Sequence, residues 1–111
     1  MKYYTADGVG AILLRCKQMA GTSTAIEAQE IAVHQVRLHL SAASAAEDFI
    51  VKIDSGINER YDAVLDTKAM NGLADYSWQP TRPHYLRSDD DLVITKTNAA
   101  GLTWSVVVVY E

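Results

Sequence analysis

The sequence predicts an all-β chain, an antiparallel β-sandwich of jelly-roll-like form. Three observations carry this. The last stretch places two β-rich runs, Leu92 to Thr97 and Leu102 to Tyr110, on either side of the turn Asn98-Ala99-Ala100-Gly101. Asn and Gly tolerate positive φ, while β-branched residues suit a pleated surface, so this reads as a hairpin. The same alternation recurs upstream, giving about seven to nine strands at spacings of roughly 8–12 residues. No long amphipathic helix and no internal repeat competes with it.

The elements follow in order. Residues 1–30 form an irregular N-terminal arm, and residues 31–111 the sandwich domain. Within the arm, Gly8-Val9-Gly10 interrupts Tyr3-Tyr4-Thr5, Ala11 to Cys16 is a possible short strand, and residues 20–24 are small and polar. An extended entry is expected from about Glu27, because Ile31 and Val33 begin an alternation. Val36, Leu38 and Leu40 then point one way and Arg37 and His39 the other, a half-buried strand with one wet face. Residues 41–48 are a small-residue linker. Phe49, Val51 and Ile53 alternate with Ile50, Lys52 and Asp54 in a second strand, and Ser55-Gly56-Ile57-Asn58 turns the chain. Tyr61, Ala63 and Leu65 alternate with Asp62, Val64 and Asp66 in a third.

Asn71-Gly72 breaks the rhythm of residues 68–74. Tyr76 to Gln79 is short and stops at Pro80, which has no N–H for a ladder, so this run belongs at an edge or a strand end. His84-Tyr85-Leu86 is another short run. In the final strand Trp104, Val106, Val108 and Tyr110 share the core face, while Val107 and Val109 occupy the other. Apolar residues on both faces predict a central strand, or one covered by a neighbouring subunit.

Bulk properties narrow the function classes. The chain has 111 residues, enough for one domain, and 49% of them are apolar, enough for one core. The net charge of -4, from 10 Lys/Arg and 14 Asp/Glu, disfavours nucleic acid as a partner, because phosphate binding needs a basic patch. Cys16 is the single cysteine, so no internal disulfide forms, in keeping with synthesis in a reducing cytoplasm. The apolar run Val9 to Leu14 closes at Arg15, too short for a signal core, and nothing approaches the roughly 20 residues of a membrane span.

No constellation specifies a reaction. Asp89, Asp90 and Asp91 are the weak metal candidates: they offer carboxylates to calcium, with Asp54, Asp75 and Asn98 as further ligands if the fold gathers them. The simpler reading is a solvated turn, since Asp favours turns and the EF-hand glycine and distal glutamate are missing. His34, His39 and His84 have no zinc spacing, and His39 belongs on a wet face. Cys16 lacks a motif and reads as a small hydrophobe. Gly8-Val9-Gly10 has no third glycine for a phosphate loop, and Glu47-Asp48 are neighbours on a linker, not a flanking acid pair. Serine, histidine and aspartate occur without a nucleophile elbow. No catalytic residue and no cofactor is assigned. Tyr76, Trp78 and Tyr85 flank the Pro80 and Pro83 loop and either stack on a ligand or close one end of the sandwich. Tyr3 and Tyr4 dock on a partner or pack on their own domain. These five aromatics are the interface candidates.

Residues from about Val33 to Tyr110, the last two-thirds of the chain, resemble small β-sandwich proteins encoded among the virion genes of tailed bacteriophages. The residues behind the resemblance are Val36-Arg37-Leu38-His39-Leu40-Ser41-Ala42-Ala43, Asp48-Phe49-Ile50-Val51, Tyr61-Asp62-Ala63-Val64-Leu65, Leu86 through Asp91-Leu92-Val93-Ile94, Thr97-Asn98, and Thr103-Trp104 with the valines after it. Such proteins often place Gly-Asp before the late strand, where this chain has Asp89 or Asp90 for the Gly. The resemblance implies a non-enzymatic virion protein, made in the host cytoplasm and located in the particle: head decoration or cement first, neck or tail accessory next. Its partners would be capsid, neck or tail proteins and further copies of itself in a homo-oligomer, with no nucleic acid and no membrane. The rival expectation is a carbohydrate-binding or host-surface adhesion module, calcium-dependent through the Asp cluster.

Overall fold

A computed structural model of the chain describes residues 2–15, 31–54, 62–86 and 90–111. The strands are β1 (Lys2–Val9), β2 (Ile12–Arg15), β3 (Ile31–Leu40), β4 (Asp48–Asp54), β5 (Ala63–Ala69), β6 (Asp75–Trp78), β7 (His84–Leu86), β8 (Asp91–Lys96) and β9 (Thr103–Tyr110). They form two antiparallel sheets packed face to face, a β-sandwich. One sheet runs β1-β9-β3-β6, with β7 also paired to β3; the other runs β2-β8-β4-β5. The pairings nest: β4 with β5, β3 with β6 and β7, β2 with β8, β1 with β9. Among the described residues there is no helix.

Period-2 alternation builds the core, because a strand in a sandwich buries alternate side chains. Val33, Val36, Leu38 and Leu40 of β3 meet Phe49 and Val51 of β4, Ile12 and Leu14 of β2, and Leu92 and Ile94 of β8. Trp104, Val106, Val108 and Tyr110 of β9 complete it. β9 lies between β1 and β3, so its two apolar faces have the expected central-strand cause. β6 and β7 together line one edge. Both pair with β3, and the break at residues 79–83 holds Pro80 and Pro83, where an edge tolerates them. Opposite this break β3 carries a bulge: Val33 pairs Tyr110 and Gln35 pairs Val109, leaving His34 as the extra residue.

The arm expected over residues 1–30 is corrected for its first half. Residues 2–9 pair along the whole of β9 and residues 12–15 pair with β8, so they are strands of the sandwich. Their inward row is Tyr4, Ala6 and Gly8, which shrinks toward the indole of Trp104; a Cβ on Gly8 would lie 3.0 Å from Trp104 Cζ2. The ring takes the space that a larger inward side chain would fill, and the hydrophobic alternation fades for that reason. Cys16 and the rest of the arm, the 55–58 turn, Tyr61 and Asp89 lie outside the described residues.

One end of the sandwich is tied by side chains. The hairpin expected over residues 92–110 is corrected: β8 and β9 lie in different sheets and do not pair, so the turn between them carries the chain across the sandwich. Gly101 takes that turn's positive φ of 66°, whereas Asn98 acts through its amide. Asn98 Nδ2 donates to Leu102 O at 2.7 Å and to Gly10 O at 3.0 Å, and Leu102 N donates to Asn98 Oδ1 at 3.1 Å. Trp104 Nε1 donates to the same Gly10 carbonyl at 3.0 Å. Residues 68–74, read as a break, contribute a core residue: Met70 is fully buried, held by its N–H on Glu47 O at 2.9 Å.

Candidate interaction surface

The outer face of the five-stranded sheet carries Tyr3, Val9 and Tyr85 exposed, while Leu13 and Val64 stand exposed on the outer face of the other sheet. Cross-strand register sets the rows of the five-stranded face. Tyr3, Val109 and Gln35 form one; Thr5, Val107, Arg37 and Ser77 the next; Asp7, Ser105, His39 and Asp75 the third. Tyr3, Val9 and Tyr85 are 64%, 67% and 65% exposed, while Val109, flanked on both sides, is only 7% exposed. Between β9 and β6 runs a groove of about 480 Å³ lined by Arg37, His39, Asp75, Ser77, Ser105 and Val107 among others. Asp75 Oδ1 accepts from His39 Nδ1 at 2.5 Å, and Gln35 Nε2 donates to Ser77 Oγ at 2.6 Å. Both members of the His39–Asp75 pair are mostly exposed, so the pair orients side chains more than it stabilises the fold.

The third row puts an acid, an imidazole and a hydroxyl on adjacent strands. β9 is a central strand, and its N–H groups are committed to the ladders with β1 and β3. The donors on this face are therefore side chains, with the Arg37 guanidinium lining the same groove. What the row offers is alternating donors and acceptors beside apolar contact area.

The five aromatic candidates separate into two sets. Tyr3 and Tyr85 stand on the surface. Tyr4, Tyr76 and Trp78 are half-buried and pack against the core. Tyr76 sits edge-on to Phe49, ring centroids 6.1 Å apart, with Lys68 Nζ 5.6 Å from its own ring centre, and its hydroxyl donates to Asp66. Trp78 tilts against His84 with centroids 6.4 Å apart. Burial and the Asp66 carboxylate push the Tyr76 phenol up to about 12 from 10.0. The neutral form is therefore favoured by folding. Its contribution is complete below pH 10 and is lost as pH rises toward 12. Tyr76→Phe is expected to cost about 1 kcal/mol and to remove the highest phenol step from an alkaline absorbance titration. A titration unchanged by the substitution would contradict the assignment.

The Asp cluster is divided. Asp91, at the start of β8, is 8% exposed and stands opposite Asp54 of β4. Arg15 Nη1 donates to Asp54 Oδ2 at 3.3 Å and to Asp91 Oδ2 at 3.5 Å, so a guanidinium occupies the position a cation would take. Asp75 is on the other sheet with His39, and Asn98 is beyond the opposite end of β8. The gathering of Asp75 and Asn98 around the cluster, needed for the calcium expectation, is therefore corrected. Among the described residues no group of three or more His, Cys, Asp or Glu is placed to hold a metal ion. The same Arg15 lines a second groove, about 360 Å³, on the outer face of the four-stranded sheet with Leu13, Lys52, Val64 and Val93.

Sequence reading missed the Arg37–His39–Asp75–Ser77 groove. The outward alternation of Arg37 and His39 was visible, but the approach of β6 was not. No protein-family model matches the chain, and no curated protein matches it. No helix among the described residues is long and apolar enough to cross a membrane.

Proposed function

We propose that this chain is a non-enzymatic structural protein of a bacteriophage particle, a head decoration or cement protein before a neck or tail accessory. It adheres to repeated sites through the outer face of the five-stranded sheet. The observation that carries the reading is that face itself: Tyr3, Val9 and Tyr85 stand mostly exposed on it, and it holds a groove edged by Val107 and Arg37. Exposed apolar groups gathered on one surface and rimmed by polar residues mark interaction sites. The particle context comes from the resemblance of residues 33–110, and the nested strand order is read as a jelly roll on the same basis. Many weak contacts on a symmetric shell would add through avidity. The glycan-binding alternative loses support because Tyr76 and Trp78 are packed against the core and do not offer free stacking faces.

Quantitative mass spectrometry of purified particles tests the proposal. A copy number near that of the major shell protein is expected for decoration or cement, and a handful per particle for neck or tail. Absence from particles would overturn it. Tyr3→Ser with Tyr85→Ser should keep the far-UV circular dichroism and reduce particle binding at least tenfold, because both rings are exposed and their loss leaves the core intact.

A further inference from the structure

The two sheets end in β1 and the β6–β7 line, and in β2 and β5. A free edge presents unpaired N–H and C=O groups and accepts another strand unless something blunts it. Three of these edges are blunted. The β6–β7 line is broken at residues 79–83 with two prolines. β2 is 4 residues long and ends on Arg15. β5 bulges at Leu65, which is skipped between the pairs Val51↔Asp66 and Lys52↔Val64, and carries Asp66 and Lys68.

β1 has none of these devices. It runs 8 residues in unbroken register with β9, from Lys2↔Tyr110 to Val9↔Thr103. It contains no proline and has one charge of each sign, Lys2 and Asp7. Among the described residues no strand pairs with its other edge.

We propose that β1 is a self-association edge, where two copies of the chain join β1 to β1, antiparallel across a twofold axis, and continue one sheet into the other. The occupant is a second copy because the edge is complementary to itself in two registers, each pairing seven residues of one copy with seven of the other and opposing no like charges. A twofold normal to the sheet keeps the same face outward, so Tyr3, Thr5, Asp7 and Val9 must pair among themselves. Centred on Thr5, residues 2–8 of each copy overlap. Thr5 then lies opposite Thr5 of the second copy, a favourable cross-strand pair, and each Asp7 meets a Tyr3. Centred on Ala6, residues 3–9 overlap, and each Tyr3 meets a Val9 and each Thr5 an Asp7. Centred on Asp7, two carboxylates would oppose each other; centred on Tyr3 or Tyr4, three or more of the 8 residues would stay unpaired. Seven residues of edge cover less than the roughly 1,200 Å² of a standard interface, so the isolated dimer is weak and concentration-dependent. The pairing does not rest on the particle reading and can fail or hold independently of it.

The test uses the full chain with Cys16→Ser as background. Directly opposed antiparallel residues have Cα atoms about 4.5–5.5 Å apart, within the range of a disulfide. Thr5→Cys alone is expected to oxidise to a covalent dimer in the Thr5-centred register, and a mixture of Thr5→Cys with Asp7→Cys to a covalent pair in the Ala6-centred one, while Asp7→Cys alone stays monomeric in both. Sedimentation across concentrations should show a monomer–dimer equilibrium weakened roughly fivefold by Thr5→Asp, which sets carboxylates opposite each other in either register. Thr5 and Asp7 are both exposed, so these variants should retain the native circular dichroism. A monomer at every concentration, Asp7→Cys alone cross-linking as well as Thr5→Cys and the mixture, or a dimer indifferent to Thr5→Asp would overturn the proposal.

Discussion

Trp104→Ala is expected to lower stability by about 3–5 kcal/mol, a large part of the roughly 5–15 kcal/mol that a domain of this size has. The ring is 7% exposed and fills the space above Gly8, so its removal leaves a cavity that the paired strands around it cannot collapse to fill. It also removes the Nε1 donor on Gly10 O, which fastens the β1–β2 turn to the β8–β9 connection through the carbonyl shared with Asn98. Trp104→Phe separates the two effects: it keeps most of the apolar contact, and the lost hydrogen bond alone is worth about 1 kcal/mol. Urea denaturation followed by Trp78 fluorescence reads both variants. A loss under about 1 kcal/mol for Trp104→Ala would mean that the indole is not a core group.

The second large effect concerns Glu47 and Lys96. Lys96 sits on the inward face of β8, level with Ile12 and Phe49, and its side chain is fully buried. Nζ donates to Glu47 Oε1 at 2.9 Å and to Thr97 O at 2.8 Å. Glu47 Oε2 accepts from Ala99 N at 2.9 Å, so one carboxylate joins the β3–β4 connection to the β8–β9 turn. Glu47→Gln leaves a buried ammonium without its counter-charge, whereas Lys96→Met replaces it with an apolar chain of similar length. Breaking such a pair by removing one partner is worse than replacing both. The expected order of melting temperatures is therefore Glu47→Gln lowest, with the double variant Glu47→Gln/Lys96→Met recovering most of the loss. A double variant no more stable than Glu47→Gln would contradict the buried-charge account.

The same pair gives an acid signature. The Ala99 N–H, and after it Lys96, hold the Glu47 carboxyl below its ordinary 4.5. A lowered carboxyl stabilises the fold above its unfolded value, so this contribution is present above pH 4.5 and is lost as pH falls through the folded value. In a melting series below pH 4.5, the wild type should lose stability more steeply than Glu47→Gln, which has no such proton to gain.

These residues show why the sequence is legible in some places and not in others. Lys96 interrupts an inward row of Leu92 and Ile94, and nothing local announces that Glu47, far away in the chain, comes to meet it. Met70 is an isolated apolar residue in a polar turn, and only the closure of the sandwich end buries it. The β1 row fails for the opposite reason: Tyr4, Ala6 and Gly8 decrease in size to admit Trp104, so a regular strand lacks a regular hydrophobic pattern. The aromatics Tyr76 and Trp78 look alike in sequence to Tyr3 and Tyr85; their faces are assigned by register, since Tyr76 pairs with inward Leu38 and Tyr85 with Ala32.

By itself the sequence determined the all-β class, the alternation of β3, β4 and β9, the turn at residues 98–101 and the core place of Trp104, but not that this turn crosses between sheets where a hairpin was expected. Each is a local consequence of burying one face of a pleated strand, whose period of two is written in consecutive residues. Only the tertiary structure decided which strands pair, that residues 2–15 belong to the sheets, that Arg15 lies against Asp54 and Asp91, and that Arg37, His39, Asp75 and Ser77 share one groove. Those outcomes join residues distant in the chain, and they are selected by the packing of two twisted sheets on one core, which no short window of sequence contains.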